Sequence, residues 1–536
     1  MATIANFAGK QFLPTDKDFD VHRWQYATST HQINHDMNPG LIVQPRDKAD
    51  IQRVIAHARV RKQAIAIRTG GHQYSGASST GRNNIQLDLQ TTFQSADDLV
   101  YFEKDGKSFV RTSVSHSLGA FNAFLGTNHV FVPHGQCTRV HVGGHVQTGG
   151  YGQLGRSFGL FGDHVVSLEI IDYRGHEREI TRTGEPKLFF AWLGGSPGNL
   201  GVLTHFVVQV YRDGDYVGAL GMRAVHLYDT ATLSKLLRHL AEMNDDADFP
   251  RNYDLCISVL SASFDILGLM GGLDTKMRLE HPEIYGPDGQ PVFPRMIVIY
   301  AQYVPFSPTD KPDMGFFDQL RQGCFLSSAV EKKPMSELTA QWIFRNTREF
   351  NLPYVKRTYT TNSTTLAKDG WVDWVVRRMD EVVKPTGNGQ WLSAQLQCFG
   401  GKNSMMFRNA GNGTSYSWRD STLCMTLDNF HKPEKKAEAE AWAARNDREA
   451  IGPNGIFSTQ DRRFLWGSYG SFDLDSVWRT YHEDRAKYER LMQARRLADP
   501  KGIFTPNTFC VKRAGLTTVV KLRLKRYLGK RHEGAD

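Results

Sequence analysis

The sequence predicts an α+β fold built as two domains, because of its length, its patterning and a change in character after Arg212. A chain of 536 residues can bury at least two hydrophobic cores. The first 212 residues contain short apolar strands, helices and clusters of glycine, whereas residues 213–474 contain fewer glycine clusters and more aromatic, β-rich runs. We therefore expect an N-terminal domain over residues 1–212 and a second domain of sheet and helices over residues 213–474.

Hydrophobic periodicity locates the individual elements. Apolar residues at helical spacing, such as Ile51, Ile55 and Ala58, predict a helix within residues 47–62. Short apolar runs predict strands at residues 64–68, 85–89, 109–116, 164–172 and 201–211, with a helix at 117–126. Beyond Arg212, strands are predicted in DLCISVLSASF, MIVIYAQYV and WLSAQLQCF, and helices in TATLSKLLRHLAEM, KKAEAEAWAARNDREA and VWRTYHEDRAKYERLMQARRL. Asp499-Pro500 ends the last helix.

The composition indicates a soluble folded protein with no nucleic-acid partner. Charged residues make up 23% and hydrophobic residues 40% of the chain, and the net charge of +9 is mild for this length. No run approaches the roughly 18 apolar residues of a membrane span. The N-terminus lacks an apolar segment after a positive start, so we see no secretory signal and expect a cytoplasmic location.

Six cysteines are scattered without a C-x-x-C pair, so the sequence indicates neither a disulfide framework nor a zinc site. Basic residues are concentrated in a tail at residues 514–536, where lysine and arginine alternate with valine and leucine. The tail is either a solvated terminal element or an amphipathic segment that touches anionic membranes. The sequence leaves both interpretations open.

A first glycine-rich turn, RTGGHQYSGAS at residues 68–78, directly follows a predicted strand. Gly70, Gly71 and Gly76 remove side chains where consecutive backbone N–H groups could form an anion nest. A pyrophosphate suits such a nest, and Thr69, Ser75 and Ser78 could add hydroxyl donors. His72 lies inside the turn as a nucleophile. A plain strand-to-loop turn is the alternative interpretation.

A second glycine-rich stretch covers residues 133–155 and contains a cysteine. Its pattern differs from the GxGxxG of a nicotinamide-binding unit, and its glycines predict that no helix runs through it. We expect it to wrap a flat ligand, which the Cys137 thiolate could attack. His141 and His145 stand four apart, as in a helical metal pair, but without a helix we expect no metal.

Together these stretches resemble the berberine-bridge-enzyme-like flavoproteins of the vanillyl-alcohol-oxidase (PCMH) superfamily. Arg68–His72 is similar to the family's Arg/Lys-x-Gly-Gly-His. Gly135–His145 is similar to its Gly-x-Cys-x-x-Val-x-Val-Gly-Gly-His and departs at His141, where the family often has glycine. LFFAWLGGSPGNLGVLTHF at residues 188–206 and YERLMQARRLADPKGIFTPNTF near the C-terminus continue the resemblance.

The resemblance implies FAD held by two covalent bonds, from His72 to the flavin 8α-methyl group and from Cys137 to flavin C6. Two bonds typically raise the reduction potential and allow an open site for bulky substrates. Val140 and Gly135 are of the type that admits oxygen, which implies an oxidase that makes hydrogen peroxide. His145 resembles the family histidine that supports charge near flavin N1 and the C2 carbonyl.

The resemblance also implies a vanillyl-alcohol-oxidase-type architecture. Residues 1–212 would form the FAD-binding domain together with a C-terminal return segment at residues 475–513. Residues 213–474 would form the substrate domain, in which an antiparallel sheet backed by helices covers the flavin. The implied cofactor-binding residues are His72, Cys137, Arg68, Thr69, Gly70, Gly71, Gln73, Tyr74, Ser75, Gly76, Ser78, Gly135, Val140, Gly143, Gly144, His145, Gly149, Gly150, Gly152, Gly201, Val202 and Asn507.

The catalytic base that removes the substrate's hydroxyl proton is predicted to be a tyrosine. Tyr359 follows Lys356 in a Lys-x-x-Tyr pattern similar to that of bacterial relatives, and the lysine would lower the phenol's pKa. Tyr469 lies near the position where other relatives place a catalytic tyrosine. The usual Asn-Tyr-Pro-Asp is absent there, and a shift of two residues would put Ser471 in its place.

Gln395 and Gln397 alternate on a predicted strand and therefore share one face. The resemblance implies that they bind substrate hydroxyls over the flavin, and an outward polar face is the alternative. Relatives that form carbon–carbon bonds carry a glutamate base on this strand, so glutamine argues against that chemistry.

These features predict an oxidase that takes a hydride from a CH–OH group of a sugar, a lactol or a hydroxylated secondary metabolite and passes electrons to oxygen. A flavin dehydrogenase or oxidative cyclase, and a non-catalytic flavin-binding protein, are the alternatives. The expected partners are a small-molecule substrate and oxygen. We expect a monomer or a homodimer without a membrane span.

Overall fold

A computed structural model describes residues 2–25, 37–245, 248–261, 295–327, 329–342, 353–368, 370–385, 387–470, 472–504 and 508–515. Within these ranges the chain forms three sheets with helices around them. Most of the basic tail and Ser471 lie outside them. In the described part of the chain we find no helix that combines the length and apolar character needed to cross a bilayer.

The first sheet contains the strand that leads into the first glycine-rich turn. Its strands are β1 (Lys10–Phe12), β2 (Leu41–Gln44), β3 (Ile65–Arg68) and β4 (Ile85–Asp88). The order is β1-β2-β4-β3, with β2, β4 and β3 parallel. The crossover helix Lys48–Arg61 begins at Asp47, whose carboxylate accepts a hydrogen bond from the Asp50 amide.

The second sheet is antiparallel and completes the N-terminal part of the chain. Its strands are β5 (Leu99–Lys104), β6 (Lys107–Ser113), β7 (Val130–Phe131), β8 (Val165–Ile171), β9 (Glu177–Thr181) and β10 (Val202–Arg212). β10 lies between β6 and β8. Its helices are Leu118–Thr127, Val142–Gln147 and Pro186–Trp192.

The third sheet has eight antiparallel strands and follows Arg212. They are β11 (Leu220–Leu227), β12 (Tyr253–Leu260), β13 (Met296–Tyr303), β14 (Leu326–Ser327), β15 (Glu331–Lys332), β16 (Tyr354–Thr361), β17 (Gln390–Cys398) and β18 (Leu423–His431). The main order is β14-β11-β13-β12-β17-β18-β16. The helices of this part are Thr230–Asp245, Met314–Arg321, Met335–Gln341, Ser363–Leu366, Trp371–Val383, Met405–Arg408 and Lys436–Ala450.

Helices cover one face of this third sheet and leave the other face for a site. Trp371–Val383 carries buried residues along its length and joins β17 residues such as Leu392 and Leu396 in one core cluster. Lys436–Ala450 adds Trp442 and Ala443 to the same cluster. A separate cluster belongs to the first two sheets. The domain boundaries inferred from the sequence remain predictions, although these two clusters divide the core in a similar way.

The C-terminal helix is shorter than the sequence predicts. Trp478–Tyr481 and Arg485–Ala498 are separate helices, because Asp484 has extended backbone and its carboxylate accepts a hydrogen bond from the Lys487 amide. That is an N-cap, so a new helix begins there. The prediction of one continuous helix from residue 477 was wrong.

The segment after this helix returns to the first sheet. Asp499 accepts hydrogen bonds from the backbone amides of Gly502, Ile503 and Phe504 at 2.8 to 3.0 Å. Arg495 also donates to this carboxylate at 3.1 Å. The turn fixed in this way brings the Ile503 carbonyl within 2.6 Å of the Ile65 amide at the start of β3.

Candidate active site

The first glycine-rich turn begins where β3 ends, and a buried ion pair holds it. Arg68 Nη2 lies 2.5 Å from Asp88 Oδ2, and the two residues are register partners on β3 and β4. Arg68 also donates to the Trp24 carbonyl at 3.0 Å. Because a buried, hydrogen-bonded pair is costly to break, it fixes the point at which the chain turns into Thr69 and Gly70.

Gly70 places the first turn directly against the second glycine-rich stretch. A Cβ atom at Gly70 would lie 2.7 Å from His141 Cδ2 and 3.0 Å from the Arg139 carbonyl oxygen. The next residue, Gly71, has a φ of +66°, which an L side chain rarely adopts. The two motifs therefore form one continuous surface that only glycine permits.

Gly135 and His145 are joined by a hydrogen bond in the second stretch. The Gly135 amide donates to His145 Nε2 at 2.9 Å, so the imidazole carries its proton on Nδ1. A Cβ atom at Gly135 would lie 2.7 Å from His145 Cε1. Burial, with a smaller effect of His134, lowers the pKa of His145 to about 3. The ring is therefore neutral at physiological pH.

The same stretch contains a short helix, which corrects the prediction that its glycines exclude one. Val142–Gln147 is helical and includes Gly143 and Gly144. A Cβ atom at Gly143 would lie 2.5 Å from Val114 Cβ. Close packing at this point offsets the cost of helical glycine, about 1 kcal/mol each. Among the described residues, His141 and His145 belong to no cluster of three or more potential metal ligands.

Both glycine-rich stretches face a large cavity whose opposite wall is the third sheet. It encloses about 1540 Å³ of space between atoms, including its opening to solvent. The cavity extends along both glycine-rich stretches and along the facing sheet. The predicted site residues on its wall are Thr69, Gly70, Gly71, His72, Gln73, Tyr74, Ser78, Gly135, Cys137, Val140, Gly143, Gly144, His145, Gly201, Lys356, Gln395 and Gln397.

Other predicted cofactor residues lie behind this wall. Those described away from it are Arg68, Ser75, Gly76, Gly149, Gly150, Gly152 and Val202. A Cβ atom at Gly152 would lie 1.9 Å from the His134 carbonyl oxygen, and one at Gly150 would lie 2.3 Å from Phe161 Cβ. These two glycines serve close packing of the wall. Asn507 lies outside the described residues.

The opposite wall is the polar face of the third sheet, whose other face packs against the helices. Successive strand residues point to opposite faces, and Leu392, Ala394 and Leu396 of β17 lie in the core. The residues between and beside them face the cavity. Those on β16, β17 and β18 are Lys356, Ser393, Gln395, Gln397, Thr426 and Asp428.

A buried ion pair lies on this polar face. Lys356 Nζ is 2.9 Å from Asp428 Oδ1, and the two side chains are 5% and 1% exposed. Lys356 Nζ also lies 4.3 Å from the centroid of the Tyr74 ring and 5.7 Å from that of Trp466. The cavity therefore contains an ammonium and a carboxylate beside two aromatic rings.

Tyr359 and Tyr469, the predicted bases, lie in the core on the other side of the sheet. Tyr359 is three residues after Lys356, an odd spacing that puts it on the opposite face of β16. Its hydroxyl donates to Asp447 Oδ1 at 2.7 Å, and its ring centroid is 5.9 Å from that of Tyr469. Burial is the main cause that raises the pKa of both phenols well above its usual value. Neither phenol is among the described residues that line the cavity.

The sequence interpretation missed several residues of the cavity wall. Asp428 and Thr426 alternate with apolar neighbours in LCMTLDNFH, where β18 is buried throughout. That alternation was the available signal for a polar face. Gln136 lies on a loop and Trp466 in a single 3₁₀ turn, Leu465–Gly467, where no periodicity marks a site.

The wall also has features of a site built for a polar ligand. Within the described residues, His141 Nδ1 is buried on the wall without a hydrogen-bond partner. A Cβ atom at Gly144 would meet no described atom within 4 Å, so this helical turn lies open toward the cavity. His72 and Cys137 both line the same space. These residues fit a flavin nucleotide.

Comparison with known proteins identifies homologues of this chain. A model described as FAD binding domain matches residues 39–181. Berberine bridge enzyme-like 12 from Arabidopsis thaliana is 34% identical over 175 residues, which are 32% of each chain. Berberine bridge enzyme-like 16 from the same plant is 24% identical over 447 residues, 81% of this chain and 75% of the relative. The chain is a homologue of the berberine bridge enzyme-like flavoproteins. The resemblance to this family inferred from the motifs is thereby confirmed.

Solved structures confirm the vanillyl-alcohol-oxidase-type fold. Xylooligosaccharide oxidase from Myceliophthora thermophila C1 superposes with a TM-score of 0.69 at 14% identity, covering 95% of this chain and 98% of that one. Glucooligosaccharide oxidase from Acremonium strictum, described with a 6-S-cysteinyl, 8α-N1-histidyl FAD, gives 0.67 at 15% identity and the same coverage. The alignments with the first two Arabidopsis relatives span about a third of those relatives' length, 32% in each case.

Proposed function

We propose that the protein is an oxidase with FAD bound through both His72 and Cys137, and that it oxidises a CH–OH group and reduces oxygen to hydrogen peroxide. The observation that carries the proposal is that both nucleophiles line one cavity whose facing wall is polar. A structural neighbour described with cysteinyl and histidyl FAD supports the same pair of attachments. The donor is a sugar, a lactol or a hydroxylated secondary metabolite.

Bound FAD would supply the hydride acceptor, which oxygen reoxidises with release of hydrogen peroxide. The chain would hold this group between the two glycine-rich stretches, where the helical turn at Gly144 has open space beside it. His145 contributes a neutral ring with its proton on Nδ1, suited to donate a hydrogen bond to developing negative charge. Val140 and Gly135 border the same cavity as small residues that leave oxygen a path.

Asp428 is the base that we favour for the substrate's hydroxyl proton. It is a carboxylate on the cavity wall, and Lys356 holds it in place with a hydrogen bond of 2.9 Å. A base must reach the proton that it removes, and this position satisfies that requirement better than the buried phenols of Tyr359 and Tyr469. Those two tyrosines remain the alternative, and phenylalanine variants separate the possibilities.

Gln395 and Gln397 are the residues that we assign to binding hydroxyl groups of the donor. Both amides line the cavity on β17, and Gln397 Nε2 donates to Gln395 Oε1 at 3.1 Å. That bond uses a donor of Gln397 and leaves its carbonyl oxygen available to accept from a hydroxyl. Trp466 adds an aromatic surface beside them, which suits the apolar face of a sugar ring.

The cofactor is tested by acid precipitation, denaturing gel fluorescence and peptide mass of the wild type, His72→Ala, Cys137→Ala and the double variant. We expect flavin to stay with the wild-type polypeptide and with each single variant, and to be released by the double variant. Cys324→Ala is the control, because this thiol is partly exposed and is not among the described residues lining the cavity. Release of free FAD from the wild type would overturn the two attachments.

The reaction is tested separately by peroxide release from a panel of sugars, alcohols and hydroxylated secondary metabolites. Stopped-flow reoxidation of the reduced protein by oxygen then distinguishes an oxidase from a dehydrogenase. Fast reoxidation is expected. Slow reoxidation in spite of donor oxidation would support a dehydrogenase, and reduction by no donor would support a flavin-binding protein.

A further inference from the structure

A small chamber lies directly behind the Cys137 segment, apart from the large cavity. It encloses about 250 Å³ of space between atoms, and its free space admits roughly one water molecule. Its wall includes His134, Gln153, Gln302 and Thr339. Gly135 and Gln136 line both this chamber and the large cavity, so a single stretch of chain separates the two.

Three glutamines around this chamber leave four polar atoms without partners. Within the described residues, Gln136 Nε2, both amide atoms of Gln153, and Gln302 Oε1 are buried without a well-formed hydrogen bond, and the weakly polar Cys256 thiol lies beside Gln153. Each such atom costs about 1–3 kcal/mol if nothing satisfies it. Two of the four are donors and two are acceptors, which is the complement of one water molecule.

Gln136 connects the chamber with the substrate side of the large cavity. Gln395 Nε2 donates to Gln136 Oε1 at 2.5 Å, and Gln397 Nε2 donates to Gln395 Oε1 at 3.1 Å. The three amides form a chain in which every donor points toward the chamber. Gln136 Nε2 ends this chain at the chamber, where it requires an acceptor.

We propose that the chamber is a binding site for one ordered water molecule, and that Gln153 and Gln302 are positioning residues for Gln395. The water accepts from Gln136 and Gln153 and donates to Gln153 and Gln302. It thereby fixes the Gln136 amide, which in turn holds the Gln395 side chain on the cavity wall. The site stands independently of the proposed reaction, which enters only where Gln395 is named as a contact of the donor.

A crystal structure of the wild-type protein tests the water directly. We expect one ordered water within hydrogen-bond distance of Gln136 Nε2, Gln153 and Gln302 Oε1. An empty chamber would overturn the proposal, as would glutamine amides turned to pair with one another. This result does not depend on any variant, nor on whether flavin is bound.

The direction in which Gln153→Met shifts the thermal unfolding midpoint provides a second test. Gln153→Met removes two partners of the water, so we expect the thermal unfolding midpoint to fall by roughly 2 °C or more. Gln86→Met is the matched control, because Gln86 is also fully buried with both amide atoms unpartnered among the described residues. It borders neither the cavity nor the chamber, so its replacement is expected to be neutral or stabilising. A higher midpoint for Gln153→Met would overturn the proposal.

A double-mutant cycle tests the positioning role. Residues in one hydrogen-bond network give non-additive effects, whereas distant ones add. We expect the midpoint shifts of Gln153→Met and Gln395→Met to be non-additive, and those of Gln86→Met and Gln395→Met to be additive. Additive shifts for the first pair would refute a positioning role for Gln153, whatever the cofactor and peroxide experiments show.

Discussion

Lys356 and Asp428 form an ion pair across adjacent strands, with 2.9 Å between Nζ and Oδ1, on the cavity wall of the third sheet. Burial makes this pair costly to separate and keeps the carboxylate in one place. Tyr359, three residues farther along the same strand, points into the opposite core. The pair therefore places a carboxylate on the cavity wall, whereas both phenols lie in the core behind the sheet.

Replacement of Asp428 is expected to slow donor oxidation. Asp428→Asn keeps an acceptor for the Lys356 ammonium but removes the proposed base, so we expect the rate of flavin reduction to fall about 10²- to 10⁴-fold. Tyr359→Phe and Tyr469→Phe are expected to stay near the wild-type rate. Stopped-flow reduction with an active donor measures all three. The opposite ranking would restore the tyrosine prediction.

Gly70→Ala is expected to destabilise the contact between the two glycine-rich stretches. The new Cβ atom would lie 2.7 Å from His141 Cδ2, so the ring or the turn must shift, at a cost of about 1–3 kcal/mol. Gly126→Ala is the control, since its Cβ atom would meet no described atom within 4 Å in the helix Leu118–Thr127. There alanine is expected to stabilise by about 0.5–1 kcal/mol. Denaturant unfolding measures both, and equal effects would contradict the tight contact.

His482 is expected to make the fold sensitive to acid. It is fully buried, both ring nitrogens lack partners among the described residues, and burial lowers its pKa to about 3. Because the pKa of His482 in the folded state lies below its unfolded value of about 6.5, protons bind the unfolded state more readily. The free energy of unfolding is therefore highest above pH 6.5 and decreases as the pH falls toward 3.

We therefore expect His482→Phe to gain about 2 kcal/mol relative to the wild type when the pH is lowered from 8 to 5. Phenylalanine keeps the aromatic contact with Tyr488, whose ring centroid is 5.5 Å away. Denaturant unfolding of both proteins at the two pH values measures the difference. A difference that stays constant with pH would show that His482 binds its proton equally in both states.

The buried Arg68–Asp88 ion pair beneath the first turn is expected to contribute more to the free energy of unfolding than an exposed ion pair does. Asp88→Asn leaves the Arg68 guanidinium buried without its partner charge, which costs about 3–5 kcal/mol. Asp20→Asn, which removes the exposed partner of Arg23, is expected to cost less than about 1 kcal/mol. Free energies of unfolding from denaturant titrations compare the two. Similar costs would mean that Arg68 reaches solvent when its partner is lost.

The sequence predicted the regular elements because their signals are local. The helix of residues 47–62 is observed as Lys48–Arg61, and the strand of residues 201–211 as Val202–Arg212. The predicted break at Arg212 falls where β10 ends. The helix Val142–Gln147 was missed, because glycine propensity argued against it and the compensating contact with Val114 comes from a distant part of the chain.

At the site, residue type was easier to predict than orientation. Gln395 and Gln397 were expected on one face because their spacing is even, and both line the cavity. Lys356 and Tyr359 were paired in spite of an odd spacing, so the strand period itself argued against their contact. Asp428 was overlooked because only the pairing of β16 with β18 brings it beside Lys356, and that pairing joins strands distant in sequence.

The hydrogen bond from the Ile65 amide to the Ile503 carbonyl has a consequence for biosynthesis. β3 is an edge strand of its sheet in the described part of the chain, and a residue made more than 400 positions later completes it. At the usual pace of a ribosome, roughly tens of seconds separate the emergence of these two partners. The turn that carries His72 therefore acquires the support of Ile503 only after the whole third sheet has been synthesised.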